Sequence, residues 1–93
     1  MLAGVSAFDI TPPIGTPLQG HFSAHPESTG ILAPLELQTL ALRSGDQTLL
    51  LITADLIGVA VALTRRVRQQ IQIRHGIPAQ NILIAASHTH CGP

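Results

Sequence analysis

Aromatic and charged residues are the scarce classes in this chain. Of its 93 residues two are Phe, none is Tyr or Trp, and 11% are charged, against roughly 25% in ordinary soluble proteins. Apolar residues still reach 45%, so any core is aliphatic, and too few charges exist to coat a compact body this small. Small domains also bury a smaller fraction of their surface than large ones. The excess reads as apolar surface meant for cover by further polypeptide, and residues 1–93 are expected to be a fragment of a larger domain.

Lysine is missing: the five basic residues are all Arg, balanced by five acidic ones, for a formal net charge of zero. Arg65, Arg66 and Arg68 crowd one stretch, which is too little for the basic stripe that tracks phosphates, so no nucleic-acid partner is expected. They read as the solvated face of a helix. The single Cys91 excludes an internal disulfide framework. The start, Met1-Leu2-Ala3-Gly4-Val5, lacks the basic region and long apolar stretch of a signal peptide. The longest apolar window, Leu49 to Ala62, is interrupted by Asp55 and is too short to span a bilayer. The location is left open, cytoplasmic by default. Neither a Gly-rich phosphate loop nor a G-x-S-x-G elbow occurs, and no internal repeat is visible.

What is present reads as α/β, with α+β as a variant. Residues 2–8 predict a short strand. Asp9-Ile10-Thr11-Pro12-Pro13 then forms a rigid exit, because consecutive prolines remove donors and fix φ. Residues 14–34, with His21 and His25, read as a long Pro/Gly-rich loop, and loops of that length are often functional. Leu35 to Arg43 and Thr48 to Ala54 predict a hairpin across Ser44-Gly45-Asp46-Gln47. The second strand is apolar throughout, as a strand buried on both faces would be. A helix is expected over residues 58–75, with Val59, Leu63, Val67 and Ile71 on its apolar stripe and Arg65, Arg68, Gln69 and Gln72 opposite. Gly76 suits its C-terminal cap and Pro78 blocks continuation. A last strand, residues 81–86, completes a β-α-β crossover, the whole forming part of a larger mixed-sheet domain.

The chemistry concentrates at the end of that last strand, in Ser87-His88-Thr89-His90-Cys91-Gly92-Pro93. Side chains two apart leave the same face of a strand, so His88 and His90 are expected to converge on one point. Two imidazoles there suit zinc, whose mononuclear sites take three or four protein ligands; the alternative is a pair of ordinary polar residues bonded to backbone. In a parallel crossover Asp55 lies on the same sheet edge, where open α/β sheets place ligands. It reads either as a helix N-terminal carboxylate or as the partner that orients one histidine. His21 and His25 read as surface loop residues, and Cys91 as a small side chain in a tight turn, with a soft ligand or reactive thiol as the alternative.

Three stretches in order, Ala3-Gly4-Val5 with Asp9-Ile10-Thr11-Pro12-Pro13-Ile14-Gly15, Thr53-Ala54-Asp55-Leu56, and Ser87 to Pro93, resemble the opening of the amino-terminal domain of the neutral/alkaline (non-lysosomal) ceramidases. The resemblance implies a zinc-dependent amidase that splits ceramide into sphingosine and fatty acid, so a lipid amide would be the substrate. It implies His88 as a zinc ligand and His90 as an active-site residue near the substrate, with Asp55 supporting the site from the neighbouring strand. The family's other ligands (a His, a Glu and a Tyr) and its serine nucleophile come later in the chain, and nothing here matches them. The fragment alone should therefore be inactive. The resemblance also leaves a secreted or periplasmic location open. The family usually shows Ser where this chain has Cys91, a near-isosteric change that leaves the zinc role intact. Two rivals stay open: another His-x-His metal hydrolase, against which the early hairpin argues if a (β/α)8 barrel is meant, and a non-enzymatic α/β module.

Overall fold

A computed structural model describes residues 1–93. Four strands form one mixed sheet in the order β1-β2-β3-β4, with β1 at Leu2–Asp9, β2 at Glu36–Ser44, β3 at Gln47–Ala54 and β4 at Ile82–Ala86. The first three pair antiparallel, Leu2 opposite Arg43 and Ser44 opposite Gln47, while β3 and β4 run parallel with Ile52 beside Ile84. The parallel pair is bridged by one helix, α1, at Val61–His75. This is the mixed α/β arrangement expected, and each strand lies within a residue or so of its predicted bounds.

The local reasons are ordinary ones. Gly45 and Asp46 alone separate the paired Ser44 and Gln47, so the hairpin closes through a two-residue turn. Gly76 ends the helix at φ 68°, its N–H donating to the Gln72 carbonyl at 2.9 Å, in the left-handed conformation that glycine adopts without penalty. At the other end of the sheet, the Asp9 carboxylate accepts the Thr11 N–H at 2.8 Å, and the Thr11 hydroxyl accepts the Leu35 N–H at 2.8 Å. The bonds from the Thr11 hydroxyl and N–H hold the Asp9 carboxyl below its usual pKa. The exit from β1 is thus rigid, as the Pro12-Pro13 pair suggests.

Burial departs from expectation in two places. β3 is covered on one face only: Ile52 and Ala54 are buried, whereas Leu49 and Leu51 stand 49% and 38% exposed. The uniform apolar run fits a strand with two covered faces, and within these residues nothing lies on the second. The helix also starts later and is rotated from the predicted stripe. Residues 55–60 run as an irregular connection, so Val59 precedes the helix, and Leu63 is 48% exposed while Thr64 is buried. Arg68, placed on the solvated side by its charge, is half-buried and donates from Nε to the Ile82 carbonyl at 3.0 Å. The guanidinium thus reaches the first residue of β4, as a long cationic side chain can from a partly covered stem.

The result is a thin slab. Its extents are 52 × 25 × 18 Å and its radius of gyration is 15.5 Å, where a closed body of this length would give about 12 Å. Only five residues are buried, Ile52, Ala54, Thr64, Ile82 and Gly92. The architecture is that of part of a larger domain. No helix is long and apolar enough to cross a membrane.

Candidate functional site

Because β3 and β4 are parallel, both chains leave the sheet at one edge, and there they keep bonding. Ser87 N–H donates to the Ala54 carbonyl at 2.9 Å and His88 N–H to the Leu56 carbonyl at 3.0 Å. His88 then turns into the left-handed region at φ 62°, the only non-glycine residue to do so. Histidine is among the side chains that tolerate this conformation. The turn carries residues 88–93 back across the strand ends, where Gly92 is buried so closely against Leu35 and the Asp55 carbonyl that a Cβ would lie 3.0 Å and 3.3 Å from them.

The two histidines do converge, with ring centroids 5.0 Å apart and planes at 81°. The route is not the expected one. β4 ends at Ala86, so strand alternation no longer governs residues 88 and 90. The reversal at His88 brings the rings together instead.

Backbone carbonyls fix both rings. His88 Nδ1 lies 2.8 Å from the Ile57 carbonyl oxygen and His90 Nδ1 lies 3.2 Å from that of Gly20. A carbonyl only accepts, so each Nδ1 carries the proton and each Nε2 keeps its lone pair. That is the tautomer in which imidazole binds a metal through Nε2, with the other nitrogen tied to a carbonyl. Both side chains are exposed.

Asp55 stands on the same edge but serves another partner. Its Oδ2 accepts the Glu36 N–H at 2.9 Å, and no imidazole hydrogen-bonds to it. With five residues between it and Val61, where α1 begins, it is not a helix-terminal carboxylate either. The irregular connection after β3 separates it from the helix, and the start of β2 takes up its charge.

A third imidazole joins from the long loop. His21 donates from Nε2 to the His90 carbonyl, and its ring meets that of His90 edge-on, centroids 6.1 Å apart at 89°. Nothing in the sequence pairs residues 69 positions apart in the chain; the only hint is the glycine beside it in a long loop. His25 stays outside, its backbone N–H bonded to Ser23 Oγ at 3.2 Å. Cys91 is exposed, with its N–H on the Thr89 hydroxyl at 3.2 Å, in a tight turn as expected. No group of three or more His, Cys, Asp or Glu side chains is arranged to hold a metal ion. The residues present therefore fit part of a zinc site, supplying imidazole in the ligating tautomer, and not a whole one.

An open groove of about 720 Å³ is walled by Leu18, Ile31, Leu32, Pro34 and Leu35 and reaches Thr89 and Cys91, the chain neighbours of His90, though no histidine lines it.

The arrangement of sheet, helix and strand-edge segment recurs in solved structures. The chain superposes on neutral ceramidase from Pseudomonas aeruginosa with a TM-score of 0.85 at 25% identity, over 98% of this chain and 15% of that one. It superposes on a ceramidase complexed with C2 with a TM-score of 0.79 at 23% identity, over 98% and 15% of the respective chains. The fold is thus that of a ceramidase segment, and the chain spans 15% of the length of those proteins. No protein-family model matches the chain, and no curated protein matches it by sequence.

Proposed function

We propose that these residues form the amino-terminal part of a ceramidase-like zinc amidohydrolase, with a lipid amide as substrate. The observation that carries the reading is the superposition on neutral ceramidase over 98% of the chain, joined to two imidazoles fixed at the sheet edge with Nε2 free. In this reading His88 is the zinc ligand, and the remaining ligands and the nucleophile come from polypeptide outside the 93 residues. Zinc bound there would polarise the amide carbonyl. His90 offers the substrate an acceptor at Nε2, and Asp55 supports the site by tying the end of β3 to the start of β2 at the same sheet edge. The groove walled by Leu18, Ile31 and Leu32 gives the acyl chain an apolar seat, as lipid-sized ligands require. In the overall reaction the acyl C–N bond breaks, a water oxygen goes to the acyl carbon and a proton to the departing amine.

The test uses the protein expressed from its natural reading frame. Metal content is measured by mass spectrometry, and hydrolysis is followed with a ceramide and a short-chain N-acyl amine. Stoichiometric zinc, release of fatty acid from ceramide, and loss of at least nine-tenths of the zinc in His88→Asn are the expected results. Asparagine tolerates the left-handed backbone at this position, so the variant keeps the turn. A product of 93 residues that retains no metal, or zinc held equally well by His88→Asn, overturns the proposal.

A further inference from the structure

The loop at residues 19–21 touches the segment at 90–92 three times. Gln19 N–H donates to the Gly92 carbonyl at 2.9 Å, His90 Nδ1–H to the Gly20 carbonyl at 3.2 Å, and His21 Nε2–H to the His90 carbonyl. The two that hold His90 join residues 69 and 70 positions apart in the sequence. They grip His90 at both ends, backbone carbonyl and ring. Gly20 sits at φ 85°, so close that a Cβ would fall 2.3 Å from His90 Nδ1; the loop backbone itself forms the wall against the ring. On the opposite side, the strand connection holds His88 through Leu56 and Ile57 but offers His90 nothing.

We propose that His21 is a positioning residue: by bonding the His90 carbonyl it docks the loop so that Gly20 holds the His90 ring with the proton on Nδ1 and the lone pair on Nε2. The donor logic gives the two rings opposite tautomers. His21 gives its proton from Nε2 and leaves Nδ1 bare; His90 does the reverse. The pair is an internal signature that a merely space-filling loop histidine would not produce.

The inference rests on the proposed role of His90 toward substrate, yet its main readout does not. In the intact protein, labelled with nitrogen-15 at histidine and held above the imidazole titration range, long-range nitrogen–proton spectra distinguish the two neutral tautomers. His90 is assigned by its loss in His90→Asn and His21 by its loss in His21→Ala. The expected result is the Nδ1–H form for His90 and the Nε2–H form for His21. In His21→Ala, His90 changes to a mixture of forms. In His21→Gln, whose amide N–H can reach the same carbonyl, the Nδ1–H form returns. If ceramide is cleaved, kcat falls at least tenfold in His21→Ala with KM changed less, a size set by how steeply rates depend on placement, and recovers in His21→Gln. An Nε2–H form of His90 in the parent protein, or an unchanged His90 spectrum in His21→Ala, overturns the inference. Loss of catalysis with both tautomers as stated in the parent would overturn only the proposed function.

Discussion

Asp55 and Glu36 bond to each other twice: Asp55 Oδ2 accepts the Glu36 N–H at 2.9 Å, and the Asp55 N–H donates to the Glu36 carbonyl at 3.0 Å. The carboxylate thus extends the β2–β3 ladder by one side-chain bond at the edge where the histidines emerge. A role through the backbone and a role through an imidazole make different predictions. Asp55→Asn keeps an acceptor oxygen, and its amide can still face the Glu36 N–H. Asp55→Ala leaves that part-buried N–H without a partner, a loss of about 1–3 kcal/mol. Chemical denaturation should therefore show a clear drop for Ala and a small one for Asn. Metal retention should be equal in Asn and parent. A large metal or kcat loss in Asp55→Asn at unchanged stability would restore the imidazole-orienting role.

The approach of Gly20 to His90 leaves no room for a methyl. Gly20→Ala places a Cβ 2.3 Å from Nδ1 at φ 85°, and the left-handed backbone alone costs an L-residue about 1–2 kcal/mol. The loop must lift, breaking the bonds at His90 together. The expected outcome is faster amide hydrogen exchange at Gln19 and Cys91 with little change in β3. Unaltered exchange at Gln19 would show that the loop is held by other means.

The strands, the hairpin and the parallel crossover were legible because each rests on local chemistry: the apolar run at Leu49–Ile52, the turn at Gly45-Asp46, and the Gly76 and Pro78 stop. The sheet edge followed from topology alone, which is why Asp55 and His88 could be placed together. What could not be read were contacts fixed by irregular backbone. The left-handed turn at His88 has no pattern, so its ring meets His90 by a path that strand periodicity does not describe. The His21 contact depends on how a 26-residue loop between β1 and β2 folds back, and no spacing rule reaches across it. The helix face was legible in part: Val67 and Ile71 of the expected stripe are half-buried, but Leu63 is 48% exposed and the covered face includes Thr64 and Arg68, a shift that a polar residue and a long cationic one conceal from a hydrophobic pattern.

That corrected face can be measured. Leu63 is 48% exposed although it shares the expected stripe with Val67, which is half-buried, and Ile82 on β4 is 4% exposed. Leu63→Ala should change stability by no more than about 0.5 kcal/mol, as exposed substitutions do. Ile82→Ala should cost about 2–4 kcal/mol, in the range for truncating buried aliphatic chains. A larger loss at Leu63 than at Ile82 would return the helix to the orientation first inferred.

The uncovered face of the sheet carries its own prediction. Register places Val5, Leu40, Leu51 and Leu83 in one row across all four strands, and Val5, Leu51 and Leu83 are 82%, 38% and 58% exposed. Such a continuous apolar row has no counterpart on ordinary monomer surfaces, where large exposed patches mark contact with other polypeptide or a liability to aggregate. The 93-residue chain should therefore bind a hydrophobic dye and associate at micromolar concentration. Leu51→Lys with Leu83→Glu should suppress both, because opposite charges on neighbouring strands remain compatible with the sheet. In a longer protein where further polypeptide covers this face, the same two changes should instead lower the unfolding temperature by burying charge. A soluble monomeric chain of 93 residues that ignores the dye would contradict the account, since the exposed leucines would then have to lie elsewhere than the strand register puts them.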